Sequence, residues 1–134
     1  MPETKQKKVL IAEDDVAMAE IVTHKLSGNG FLVRHASDGA IALKMFLEEK
    51  PDIMLLDLMM PEMDGFQVLE AIRKNPDTKI ANTPVIVLSN LWSSQDILKA
   101  KDLKADDYMV KAYFTPDEIL GKINVVLNKS QIHE

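Results

Sequence analysis

Apolar residues fall along the chain in five short runs separated by longer segments of helical spacing. The runs are VLIA at 9–12, FLVRHA at 31–36, DIMLLD at 52–57, PVIVLS at 84–89 and DYMV at 107–110. The first, third and fourth are almost continuously apolar and rich in branched side chains. Strands covered on both faces have this pattern, and they belong to parallel sheets. Between the runs the period lengthens. Met18, Ile21, Val22 and Leu26 recur at helical intervals, and Gly28-Asn29-Gly30 ends that segment where a left-handed cap is needed. A second helix opens after Ser37-Asp38-Gly39 and stops near Lys50-Pro51. A third opens after Asp64-Gly65 with Phe66, Leu69 and Ile72 along one side. Residues 93–104 read as a helix with a weaker apolar face of Ile97, Leu98 and Leu103. The last helix begins at Thr115-Pro116-Asp117-Glu118, a capping box with proline in the first helical position, and carries Ile119, Leu120, Ile123, Val126 and Leu127.

Strand and helix alternate five times with short connections, so the expected architecture is an α/β domain with a parallel sheet between helical layers. Periodicity leaves the strand order open. At 134 residues the chain is expected to be one domain, with 130–134 as a short polar tail and no room for a second domain. A formal net charge of -5, with scattered basic residues, argues against direct nucleic-acid binding. The absence of cysteine removes disulfide, thiolate and cysteine-metal chemistry and fits a reducing cytoplasm. No apolar run approaches the roughly 20 residues of a membrane span, and a cytoplasmic location without membrane partners is expected.

In an open parallel sheet, ligands bind beyond the carboxyl ends of the strands. Those ends carry Glu13-Asp14-Asp15, Asp57, Ser89 and Lys111. Converging carboxylates repel one another and recruit a cation, and an all-oxygen donor set with room for water suits Mg²⁺ better than a transition metal. Lys111 and the Ser89 hydroxyl could then serve phosphoryl oxygens, one by charge and one by hydrogen bond. Structural readings compete with each of these. Asp15 and Asp64 read as helix N-caps, and taken singly Asp57 reads as a turn residue, Ser89 as a loop hydroxyl and Lys111 as a surface charge. Coincidence would have to place them at the ends of four different strands. Met54, Met59, Met60 and Met63 read as core packing. His24, His35 and His133 share no metal-ligand spacing and receive no role, and Trp92 reads either as cover for the helix over 93–104 or as an interface anchor.

The segment LLDLMMPEMDG at 55–65, with the acidic pair of IAEDD, Ser89 and KADDYMVKAY at 104–113, resembles the response regulator receiver domain, the family of the chemotaxis regulator CheY. The resemblance covers residues 7–129 and implies a flavodoxin-like sheet of order 2-1-3-4-5 with five helices. It also implies Asp57 as phosphoacceptor and Mg²⁺ (or Mn²⁺) held by Asp14, Asp57, the Met59 backbone carbonyl and, through water, Glu13. Ser89 and Lys111 would bind the phosphoryl group, and Tyr108 would act as a switch. The implied partners are a sensor histidine kinase or phosphotransfer protein and a downstream effector protein, contacted through the face that includes the helix over 93–104, the strand at 107–110 and the last helix. Three positions depart from the family pattern: Asn90 replaces a small residue, Lys104 a glycine and Ala112 a proline. Without that proline the bond after Lys111 is expected to be trans and Lys111 displaced.

Two other functions share the pattern. A phosphatase of the haloacid-dehalogenase type needs an acid two residues after its nucleophilic aspartate, and that position is Met59, which cannot transfer a proton. A phosphorylation-independent pseudo-receiver would bind partners through the same fold. The intact set of Glu13, Asp14, Asp57, Ser89 and Lys111 favours the active receiver.

Overall fold

The computed structural model describes residues 6–132 and side chains as far as Lys129; His133 lies outside the described residues. The five strands are β1 (Lys8–Ala12), β2 (Leu32–Ala36), β3 (Ile53–Leu56), β4 (Val85–Ser89) and β5 (Asp107–Val110). The helices are α1 (Val16–Ser27), α2 (Gly39–Glu49), α3 (Gly65–Arg73), α4 (Thr78–Ala81), α5 (Ser94–Asp102) and α6 (Pro116–Ile132), with a short 3₁₀ turn at Lys111–Tyr113. All pairings are parallel and the order is β2-β1-β3-β4-β5.

Successive strand side chains point to opposite faces, so each continuous apolar run feeds two cores. Val9, Ile11, Ile53, Leu55, Ile86 and Leu88 pack with Val22 and Leu26 of α1 and Ile119 and Ile123 of α6. Their neighbours Leu10, Met54, Leu56 and Val85 pack with Ala42 and Phe46 of α2 and Val68, Leu69 and Ile72 of α3. The caps form as their residue types dictate. Asp15 accepts from the Met18 N–H at 3.1 Å, Asp38 from Ile41 at 2.8 Å, and Asp64 makes a reciprocal box with Gln67. Thr115 and Glu118 make the same box at the start of α6.

Several expectations are corrected. Among the described residues the five expected helices are joined by one extra turn, α4, which Asp77 caps and which is too short to show a periodic face. Ile21 is exposed and Ala19 takes its place, since the stripe of α1 that meets the sheet is Ala19, Val22 and Leu26. Ile97 and Leu98 also face outward, and α5 buries only Ala100. Gly28 is right-handed; the left-handed residue after α1 is Gly30, with φ of 91°. The backbone of 130–132, expected as tail, continues α6.

Candidate functional site

The sheet order brings β1 beside β3, β3 beside β4 and β4 beside β5, so the residues that leave these four strands meet at one edge of the domain. The Asp57 N–H donates to the Ala12 carbonyl at 3.0 Å, which locks the two acidic strand ends side by side. One carboxylate oxygen each from Glu13, Asp14 and Asp57 lie within 4.8 Å of one another. Glu13 and Asp57 are 3% and 4% exposed, whereas Asp14 is open to solvent. A cleft of about 480 Å³ opens beside them, lined by Asp14, Met59, Met60, Asp64, Phe66 and Leu91.

Lys111 spans the two buried acids. Its Nζ donates to Asp57 Oδ2 at 2.8 Å and pairs with Glu13 Oε1. The Lys111–Ala112 bond is not cis, and the lysine nevertheless reaches both partners, so the displacement expected from the lost proline does not occur. Burial lowers the Lys111 pKa, but hydrogen bonds to Asp57 and Glu13 and the charges behind them outweigh it and hold the ammonium above its usual value. Burial pushes the Glu13 carboxyl up from 4.5 to about 7; Lys111 and the Asp15 N–H pull against this, and the charge of Asp57 adds to it. Two acids against one ammonium leave a negative excess that a hard cation would neutralise, and the available donors are all oxygen. The cluster of Glu13, Asp14 and Asp57 therefore fits a metal site.

The loop that carries Asp57 is fixed by close backbone approach. The Met59 N–H donates to Asp57 Oδ1 at 3.2 Å and the Gly65 N–H to the Leu58 carbonyl at 3.0 Å. A Cβ on Gly65 would overlap the Asp57 carbonyl oxygen, and one on Gly39 would overlap that of Met63, so both positions require glycine.

Ser89 is fully buried, and its Oγ accepts from the Leu91 N–H at 3.3 Å. The Tyr108 hydroxyl donates to the Leu91 carbonyl at 2.6 Å, and its ring packs with Leu58, Val87 and Ala100. Burial and the charges of Asp96 and Asp57 push that hydroxyl up to about 12, so it remains a donor at neutral pH. Asn90 is exposed. Lys104 adopts the left-handed conformation that glycine favours, with φ of 66°, so the turn before β5 keeps its shape at some strain. Trp92 is 68% exposed and does not cover α5. Met54 is core as expected, but Met59 is 59% exposed, because its backbone rather than its thioether faces Asp57.

Sequence reasoning missed two residues. His35 Nε2 lies 2.6 Å from the Glu13 carbonyl. The Arg73 guanidinium is partly buried and binds three backbone carbonyls. The signal for His35 was its place next to the end of a strand adjoining the acidic pair, which metal-ligand spacing does not test.

The family described as response regulator receiver domain matches residues 9–124. The chain is 41% identical over 128 residues to the probable transcriptional regulator ycf27 of Guillardia theta, covering 96% of this chain and 48% of that protein. It spans about half the length of the curated relatives it matches. The receiver domain of a Francisella response regulator superposes with a TM-score of 0.83 at 33% identity, covering 93% of this chain and 99% of that one. The chemotaxis protein CheY4 of Vibrio cholerae gives 0.83 at 29% identity, with coverage of 91% and 99%. Strand order, acidic pocket and family match agree: this chain belongs to the response regulator receiver domain family, whose members are signalling domains of two-component systems rather than enzymes.

Proposed function

We propose that the domain is a phosphorylation switch that accepts a phosphoryl group on Asp57 from a phosphohistidine of a sensor kinase or phosphotransfer protein. The observation that carries this reading is the seat of Lys111, 2.8 Å from Asp57 Oδ2 and paired with Glu13 beside the three-carboxylate cluster. A carboxylate oxygen of Asp57 attacks phosphorus, the P–N bond to the donor imidazole breaks, and a mixed carboxylic-phosphoric anhydride forms. Lys111 then passes from Asp57 Oδ2 to a phosphoryl oxygen, and the Ser89 hydroxyl donates to another. Asp14, Asp57 and the Met59 backbone carbonyl would hold Mg²⁺, with Glu13 on a metal-bound water, and the ion would supply charge neutralisation and orientation of the phosphoryl oxygens. Met59 stands two residues after Asp57 and offers no proton to a leaving group, which favours self-modification over phosphatase turnover.

The output is binding to a downstream protein through α5, β5 and α6, where Trp92, Ile97, Leu98 and Tyr113 are exposed. Tyr108 and its Leu91 partner join this face to the site. Incubation with a small acyl phosphate and Mg²⁺ is expected to add one phosphoryl group by intact mass, stable to acid and labile to base. No uptake at saturating Mg²⁺ would refute the reading.

The neighbouring acids separate binding from structure. Asp14→Ala is expected to abolish Mg²⁺ binding measured by titration calorimetry. Asp15→Ala should retain it and lose about 0.5–2 kcal/mol of stability as a missing cap. Equal loss of metal affinity in both variants would mean that the acidic pair is assigned one residue out of register.

A further inference from the structure

We propose that His35 is a positioning residue for the cation-binding pair, holding the peptide group between Glu13 and Asp14 through its Nε2–H. This rests on the Mg²⁺ reading above. β2 runs parallel to β1, with the Leu32 N–H donating to the Lys7 carbonyl and the Glu13 N–H to the Ala36 carbonyl at 2.9 Å. Donors in a parallel ladder meet every second residue of the neighbouring strand. After Leu32 the bonds therefore run from Arg34 to Val9 and from Ala36 to Ile11, and the next carbonyl in line is that of Glu13. Its ladder donor would be the Asp38 N–H. Asp38, however, has turned out of the sheet to cap α2, its Oδ1 accepting from the Ile41 N–H at 2.8 Å.

The Glu13 carbonyl is met instead by His35 Nε2 at 2.6 Å. A carbonyl only accepts, so Nε2 carries the proton. Glu13 is thus gripped by β2 at both backbone groups, its N–H by Ala36 and its carbonyl by His35. This matters most for Asp14. The Glu13 side chain is already tied to Lys111 and to the Asp15 N–H, whereas no hydrogen bond or ion pair to the Asp14 carboxylate occurs among the described residues. The backbone alone places the root of that side chain, and the peptide held by His35 is the one that leads into it.

Titration calorimetry with MgCl₂ tests the assignment. His35→Leu is expected to weaken Mg²⁺ binding about tenfold, the range of a lost partner behind a metal ligand, while His35→Gln, whose amide nitrogen has similar reach, restores it to within about twofold. If His35→Leu fails to fold by circular dichroism, His35→Asn takes its place, since its shorter amide falls short of the carbonyl. Affinity unchanged in the Leu or Asn variant, or a Gln variant as weak as either, overturns the role of His35 and leaves the proposed function standing. A wild type that does not bind Mg²⁺ overturns both.

Discussion

Asp57→Asn is expected to take up no phosphoryl group from a small phosphodonor and, without divalent cations at pH 8, to be more stable than the wild type. The first result follows from removing the nucleophilic carboxylate. The second follows from the charge balance around Lys111, which holds Asp57 and Glu13 together, both nearly fully buried. Burial, with the charge of Asp57 added to it, raises the Glu13 carboxyl to about 7 against the opposing pull of Lys111 and the Asp15 N–H. A carboxyl whose pKa is higher folded than unfolded binds protons more tightly when folded. Its contribution to stability is therefore complete below the unfolded value of 4.5 and is lost as pH rises through about 7. Asparagine removes the like charge and leaves Lys111 to pair with Glu13 alone. The gain at pH 8 is expected to be about 1 kcal/mol, a few degrees in melting temperature, and to shrink toward pH 5. Melts of both proteins in chelator at the two pH values check this. A variant that melts below wild type at pH 8 would show that Asp57 is a net stabilising partner of Lys111.

Arg73→Met should lose about 3–5 kcal/mol without touching the phosphoacceptor. Nε and Nη2 of Arg73 donate to the Lys104 carbonyl at 3.1 and 2.9 Å, and Nη1 donates to Ala81 and Thr83 at 2.8 and 2.7 Å. Nη2 also reaches Asp106 Oδ1 at 3.0 Å, and that same oxygen accepts from the Val85 N–H. Burial pulls the guanidinium below its ordinary pKa while Asp106 opposes the shift, and it remains charged. Methionine fills similar space but takes the guanidinium donors from three carbonyls and leaves Asp106 with the Val85 N–H alone. Asp106 is 39% exposed and regains water, which places the loss toward the lower end of the range. Arg73→Lys should recover little, because an ammonium cannot donate along the planar fork that these acceptors surround. Urea unfolding is expected to show a lower midpoint with an unchanged slope, and a loss under about 1 kcal/mol would contradict the account.

How far the sequence led can be followed residue by residue. β1, β3 and β4 were legible because strands covered on both sides cannot hide their apolar runs, and the site was legible because polar groups at strand ends have one crevice to enter. Ile97 and Leu98 misled because periodicity reports which residues share a side of a helix and not which side meets the sheet; α5 meets it at Ala100. α4 escaped because one capped turn has no period. His35 and Arg73 act across 22 and 31 residues on backbone carbonyls, and main-chain acceptors leave no mark in the pattern of side chains. Lys104 departs from the family's glycine, yet it keeps the glycine-like conformation, and its carbonyl is tied by Arg73.

The two tight glycine contacts also determine how the domain can deform. With Gly65 seated on the Asp57 carbonyl and Gly39 on that of Met63, the N-termini of α2 and α3 approach the loop after β3 so closely that neither position has room for a Cβ. The opposite side is compliant. α5 buries a single alanine and is fastened near the site by the Tyr108–Leu91 hydrogen bond and by Lys99 lying 4.3 Å from the centre of the Phe66 ring. α5, with a single buried alanine, has less packing to give up, so local rearrangement costs less there than in α2 or α3.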